Sequence, residues 1–420
     1  MSLSRRDLAR LLTLGGAATL LPRPALAASR FDYTQPEGEA FWEGVRDQFL
    51  MPRSLLMFNA ANLCPSSRRV VDVLEKSSRE IDRDPSPANR AKLGQGREET
   101  RRALAAFLRA APEDVVLTRN TSEANNIVSS GLALGQGDEV LLFADNHPSN
   151  NNAWAEKAKR GGFTIKTLPQ PHPHPGTEFF VDAVAKAIGP ATRILAVTHV
   201  TSTVGDLLPV RELCRVARER GVLSLVDGAQ SFGVLDVDLS VIQPDFYTGS
   251  AHKWPCGARE NGVLYVNRTV QDRVAASVVS LYGGAVGVSR RLEAHGQRDE
   301  AAMIAFGEAI RVQTEIGIAR IEARVRSLAQ QLMQGLQAIP GGRVFTSTDA
   351  TRSAAIVTFQ AGTQAAGPLI TALYQEHGII CASASGAARG GLRFSPHFYN
   401  TRKDVDAVVA AVKTEITRSR

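Results

Sequence analysis

Thr248-Gly249-Ser250-Ala251-His252-Lys253-Trp254 places a lysine just after an apolar, β-prone run. Twenty-six residues upstream, the similar run Leu223-Ser224-Leu225-Val226 ends in Asp227-Gly228-Ala229-Gln230. An amine and a carboxylate at the ends of neighbouring strands suit one cofactor, pyridoxal 5′-phosphate (PLP). The amine would bind its aldehyde, and the carboxylate would keep the pyridine nitrogen protonated so that the ring accepts electrons. Taken singly, a surface lysine and a capping aspartate explain these two residues better. A phosphate needs a cradle, and Thr118-Arg119-Asn120-Thr121-Ser122-Glu123-Ala124 lies between a strand pattern and a helical one. Hydroxyls and free N–H groups at a helix N-terminus bind anions; a plain N-cap by Thr121 or Ser122 is the equal alternative. His147, in Asp145-Asn146-His147-Pro148, could stack on an aromatic cofactor or be an ordinary loop histidine.

These residues need a scaffold that gathers several strand ends. Val115–Thr118, 139–143, 163–168, 194–198, 223–227 and 246–249 read as strands, and 262–266 as another. Helical patterns fill most gaps: 122–134 closed by Gly135, 181–188, and 209–220 stopped by Gly221. Continuous apolar strands alternating with helices predict an α/β fold with a mostly parallel sheet covered on both faces. Ligands in such sheets sit at the carboxyl ends of the strands. Past Gly283-Gly284 the pattern changes to a long helical stretch from about Ala301 to Ala338. A β-rich 353–359, a helix over 368–377, a strand around Leu392-Arg393-Phe394 and a final helix from Lys403 follow. The expected organisation is a large domain over 52–285 and a smaller α+β domain from 30–51 and 286–420.

The 420 residues are 44% hydrophobic and 22% charged, which excludes disorder and a disulfide-stapled mini-domain. Of the net charge of +7, residues 1–27 carry +3 through four Arg and one Asp, leaving +4 for the rest. That balance, without a basic run interleaved with aromatics, gives no nucleic-acid footprint. The N-terminus has Arg5-Arg6, an apolar run from Leu8 to Leu21 and Ala25-Leu26-Ala27. The pattern predicts an export signal of the twin-arginine type, cleaved near Ala27, with a periplasmic destination. An apolar run of about 14 residues is too short for a stable membrane anchor. Cys64, Cys214, Cys256 and Cys381 show neither a CxxC pair nor zinc-ligand spacing. His172 and His174 in a Pro-rich stretch read as a solvated loop, and Gly131, Gly135 and Gly137 as a helix ending.

In order along the chain, NTSEANN, NHPSNNNAW, THVTSTVGDLLPV, VDGAQ, GSAHKW, EAHGQRD and LRFSPHFYNT make residues 50–415 similar to the class V aminotransferase family. The resemblance implies the fold-type I PLP-dependent architecture, with a seven-stranded type of sheet and a homodimer. It also implies site roles. Lys253 would be the Schiff-base lysine and the base at the α-carbon, Asp227 the partner of the pyridine nitrogen, and His147 the stacking ring. Gln230 and Ser202 would lie near the ring oxygen. Thr121, Ser122, Ser250 and His252 would hold the phosphate, and Gln297 would reach the partner subunit's cofactor. Arg393 would clamp the substrate carboxylate, a task suited to its bidentate fork. Asn59 and Asn62 fall in a segment that lines the substrate site in relatives.

Departures narrow the activity. Cysteine desulfurases of this family carry a nucleophilic Cys on a mobile loop before the carboxylate Arg. Here Cys381 stands in the apolar run Gly378-Ile379-Ile380-Cys381, the setting of a small hydrophobe rather than a thiolate. Cys256, three residues past Lys253, reads as packing. The Thr198 to Gly205 stretch and the Pro-His-Phe-Tyr-Asn end resemble the isopenicillin N epimerase-like branch, whose exported members include an enzyme that tailors a siderophore. The expectation is an exported PLP enzyme of the transaminase or epimerase type, acting on the α-carbon of an amino acid or peptide-like metabolite. C–S cleavage by β-elimination and a non-catalytic binding role are the alternatives.

Overall fold

The computed structural model describes residues 31–418, and Tyr33–Arg420 cluster as one compact unit. The expected export signal, residues 1–27, lies outside the described residues. Helices α1 (Glu39–Arg46), α2 (Arg68–Arg83) and α3 (Pro87–Phe107) come first. Strands and helices then alternate: β1 (Val115–Thr118), α4 (Thr121–Gly131), β2 (Glu139–Phe143), α5 (Pro148–Gly161), β3 (Thr164–Leu168), α6 (Thr177–Ala187), β4 (Thr192–Thr198), α7 (Val210–Glu219) and β5 (Leu223–Asp227). Two further strands, β6 (Phe246–Ser250) and β7 (Gly262–Val266), complete a seven-stranded sheet of order β1-β7-β6-β5-β4-β2-β3. The five strands from β6 to β3 run parallel, and β7 pairs antiparallel with both β6 and β1.

The apolar runs become strands because both faces are covered: every residue of β1, β5, β6 and β7 is buried. Val116, Leu142, Ile194, Leu225, Phe246 and Leu264 pack on one face with Ile127 and Val128 of α4 and Trp154 of α5. β3, at the edge, exposes three polar residues, Thr164, Lys166 and Thr167, as an edge strand does to discourage pairing with another chain. Helix α4 ends at Gly131, three residues before the predicted Leu134. A Cβ at Gly131 would sit 2.5 Å from the carbonyl oxygen of Ala275, so this helix end is pressed against that segment.

The predicted helix from Ala301 to Ala338 is two helices, α8 (Glu300–Ile316) and α9 (Ile318–Gln337). Gly317 between them has φ of +94°, a conformation no α-helical residue adopts, and it turns the chain. Helix α8 packs on α2 and α3. Helix α9 supports a second sheet of β8 (Gly342–Val344), β9 (Val357–Ala361), β10 (Ala382–Ser383) and β11 (Leu392–Phe394), all antiparallel in the order β10-β11-β9-β8. With α10 (Ala366–His377) and α11 (Arg402–Arg418) it encloses its own core of Leu328, Leu332, Val357, Phe359, Leu373, Phe394 and Val408. Arg324 of α9 holds α1 through Glu39, at 2.7 and 2.9 Å. Leu56–Met57 pairs in parallel with Ile379–Ile380, and Asn59 bridges to Ser395, which brings the N-terminal segment beside β11.

Candidate active site

Strand register sets the site. Asp227 ends β5 opposite Thr198 of β4 and Thr248 of β6, so all three lie at carboxyl ends in the middle of the sheet. Two residues beyond Thr248, β6 ends at Ser250 and the chain turns through His252 and Lys253. A cavity of about 240 Å³ opens there, lined among others by Asn62, Thr121, Ser122, His147, Asp227 and Lys253. Ser250 and His252 also line it.

The cradle at one end fits a phosphate. The Thr121 N–H donates to Ser250 Oγ at 2.9 Å, and the two hydroxyls lie 2.8 Å apart. Asn120 caps α4 by accepting from the Glu123 N–H, which leaves the helix N-terminus facing hydroxyl groups. The capping and anion-binding readings of this segment therefore share the work between Asn120 and its neighbours.

Asp227 is buried, and its orientation is fixed from three sides. Asn125 Nδ2 donates to Oδ2 at 2.9 Å, Asn150 Nδ2 to the same oxygen at 3.4 Å, and the Ala229 N–H to Oδ1 at 3.1 Å. Asn125 is itself held by the Thr248 hydroxyl at 3.0 Å, and Asn150 by the Trp154 indole at 3.1 Å. Neither asparagine was singled out from the sequence. Asn125 lies four residues after Thr121, on the same helix face, and Asn150 in the first turn after His147. That periodicity was the available signal.

Burial lowers the basicity of the three nitrogen bases that line the cavity. It brings the Lys253 amine down to about 8; Asp227 opposes that fall, and the Arg393 guanidinium adds to it. Burial and the charge of Lys253 bring His252 down to about 4 and lower His147 as well. Both rings are therefore neutral near pH 7. His147 Nδ1 accepts from the Ser149 N–H at 3.2 Å, which leaves its proton on Nε2.

Four residues expected at the site do not line this cavity. Gln230 is buried with its amide donating to the Ala61 carbonyl at 2.9 Å and its carbonyl accepting from Trp254 Nε1 at 2.8 Å. Ser202 offers its backbone carbonyl to Arg393 Nη1 at 2.9 Å. Gln297 lines a different cavity of about 550 Å³ with Arg259 and Arg298, and accepts from Arg90 at 2.9 Å. Arg393 is close enough to bias His147 and Lys253, and Nη2 donates to Asn59 Oδ1 at 3.3 Å. Its Nε is buried without a partner, and among the described residues no carboxylate forms an ion pair with it. Cys381 is buried, its thiol pushed up to about 12, which disfavours the thiolate a persulfide-forming nucleophile needs.

The two histidines of the Pro-rich stretch are not solvated as the sequence suggested. His174 is buried, and Nε2 donates to the Leu207 carbonyl at 3.1 Å. His172 sits between Asp145, at 3.4 Å, and Asp206, at 3.3 Å, which raise it to about 9. A raised value means that the protonated ring stabilises the fold fully below its ordinary range near pH 6.5, and that this is lost as pH rises through about 9. Melting temperature should therefore fall by several degrees between pH 6.5 and 9.5, and His172→Gln should flatten that fall. A variant with an unchanged slope rejects the ion pair as its cause.

An amine, a buried carboxylate and an anion cradle at the carboxyl ends of a mostly parallel sheet define a fold-type I PLP-dependent protein. Residues 62–408 match the family model "Aminotransferase class-V". The chain belongs to that family of PLP-dependent enzymes, and PLP is its cofactor. It is 31% identical over 392 residues to isopenicillin N epimerase of Streptomyces clavuligerus, covering 89% of this chain and 98% of the relative. It is 28% identical over 397 residues to a probable cysteine desulfurase of Methanothermobacter thermautotrophicus, covering 86% and 95%. Among solved structures, a cystine C–S lyase in complex with cysteine persulfide superposes with a TM-score of 0.79 at 22% identity, covering 86% of this chain and 98% of that one.

Proposed function

We propose that this protein is an exported enzyme that acts at the α-carbon of an amino acid or peptide-like metabolite, as a transaminase or epimerase. The observation that carries this reading is Arg393, a partly buried cation with no carboxylate partner among the described residues, close enough to bias Lys253. Bound PLP supplies an electron sink for a bond broken at the α-carbon. Around it, the residues of this chain have separable tasks. Asp227, locked by Asn125 and Asn150, presents a charge to the pyridine nitrogen. Lys253, with its amine lowered to about 8, is a nucleophile toward the cofactor and afterwards a base of suitable strength for a Cα proton. Arg393 orients the substrate by its carboxylate, and neutral His147 offers a flat face without adding positive charge.

The epimerase relative supports proton movement at Cα, and a siderophore or other secondary metabolite fits the exported branch that the sequence resembles. The reading extends to residues 1–27 as a twin-arginine signal cleaved near Ala27, with the mature enzyme in the periplasm. It also includes a homodimer, supported by the exposed Val279 and Leu281, which follow Val278 of the cavity that Gln297 lines. A second reading, C–S cleavage by β-elimination, draws on the desulfurase relative and needs no catalytic cysteine.

Titrating the PLP-loaded enzyme with amino acids and culture-supernatant metabolites in deuterated water tests both. Spectral change with deuterium at Cα and a keto acid or inverted product supports the first. Release of sulfide or a thiol with loss of the β-substituent supports the second. No exchange with any ligand would leave only a binding role and overturn both.

A further inference from the structure

Cys64, Cys256 and His397 come from three separate stretches: the segment after the Leu56–Met57 strand, the turn that carries Lys253, and the segment after β11. All three are buried, and their two sulfurs and one imidazole nitrogen lie within 4.8 Å of one another. We propose that these three side chains form a structural metal site for one thiophilic divalent cation, Zn²⁺, which ties the Lys253 turn to the segment following Arg393.

The histidine is prepared for such a role. His397 Nε2 is 2.7 Å from the Trp254 carbonyl oxygen, so it carries the proton and donates. Nδ1 is then a bare lone pair, fully buried and without a hydrogen-bond partner among the described residues. A buried acceptor left unpaired costs stability unless something occupies it. One imidazole nitrogen on a backbone carbonyl, with the other free, is the arrangement that fixes a metal-binding tautomer.

The thiols are equally under-used. Besides each other, the thiols have long contacts: Cys64 Sγ lies 3.7 Å from the Ala60 carbonyl and 3.6 Å from Tyr399 Oη, and Cys256 Sγ 3.7 Å from the Trp254 carbonyl. Zinc bonds of about 2.3 Å to sulfur and 2.0 Å to nitrogen place ligand atoms roughly 3.5–4 Å apart, a small contraction from the present spacing. A tetrahedral ion held by these three side chains would take a water as its fourth ligand. Cys256 also holds φ at +55°, a conformation that a residue other than glycine keeps only when its surroundings impose it.

Charge selects the ion. Binding displaces one proton from each thiol to solvent, and no electron changes hands. Two thiolates, a neutral imidazole and Zn²⁺ sum to zero, whereas Cu⁺ would leave a buried negative charge. Backbone contacts show what the ion would brace. The Cys64 N–H donates to the His252 carbonyl at 2.8 Å and the Cys256 N–H to the Lys253 carbonyl at 2.9 Å, so two ligands flank the lysine directly. His397 stands four residues after Arg393, which sets the amine and the guanidinium on one braced unit.

The test needs no turnover assay. Elemental analysis of the purified PLP-loaded enzyme should find about one zinc per chain, and Cys256→Ser and His397→Gln should each lower that content by about tenfold or more. Should either variant fail to fold, wild-type enzyme exchanged with Co²⁺ decides alone: it should show thiolate-to-cobalt absorption in the near ultraviolet and the visible bands of a tetrahedral ion. Absence of metal together with absence of cobalt bands overturns the proposal. So does copper in place of zinc, zinc retained by both variants, or a Cys64–Cys256 disulfide seen by peptide mass in the metal-free chain.

Discussion

Replacing Lys253 with Ala should cut turnover by about 10³-fold or more, since the chain then loses both its covalent attachment point and its Cα base. The visible absorbance of covalently held PLP should vanish, while the phosphate cradle of Thr121, Ser122, Ser250 and His252 retains weak, dialysable cofactor. The wild type carries a related pH signature. Capture of PLP needs the neutral amine, so reloading of cofactor-free enzyme should quicken as pH rises through about 8, well below the range of a free lysine. That displacement comes first from burial, and the Arg393 charge adds to it while Asp227 holds it back. Exchanging Arg393 for an uncharged residue should therefore move the reloading profile to higher pH. A Lys253→Ala protein that stays yellow, or a reloading rate that rises only near the free-lysine range, contradicts the assignment.

The sheet was readable in the sequence because parallel strands covered on both faces must be continuous apolar runs, as in Leu223–Asp227 and Phe246–Ser250. Residues after such strands fall at carboxyl ends by construction, so the strand-end placement of Asp227 and Lys253 followed from local pattern, while their reading as one site needed the pair. What depends on side chains meeting across the fold could not. The diversion of Gln230 to Ala61 and Trp254 joins positions with no common spacing. Gly317 sits between Ile316 and Ile318 inside an unbroken helical period, and only its φ shows that the chain turns there. His172 looked solvated because Asp145 and Asp206, which hold it, lie on other loops. The meeting of Cys64, Cys256 and His397 left no spacing signal, since each pair is separated by well over a hundred residues.

Arg393 should prove costly to the empty protein and indispensable to the loaded one. Its guanidinium is lowered by burial and its Nε lacks a partner, while Nη1 and Nη2 are met only by neutral oxygens of Ser202 and Asn59. A charge withdrawn part-way from water without a counter-ion costs a fold stability. Arg393→Met, which keeps the aliphatic volume, should therefore leave the melting temperature of substrate-free enzyme unchanged or higher. With substrate the sign reverses. Two charge-assisted hydrogen bonds contribute about 1.5–3 kcal/mol each, and losing them should lower kcat/KM for a carboxylate substrate by about 10²–10⁴-fold. Wild-type enzyme given the corresponding amide should lose a similar amount. The variant given the amide should lose little more, because the interaction is already gone. The same pairing predicts that carboxylate substrates raise the melting temperature of the wild type and not of the variant. Equal losses for acid and amide in the variant would show that Arg393 shapes the pocket without reading the carboxylate, and the α-amino acid reading of the site would lose its main support.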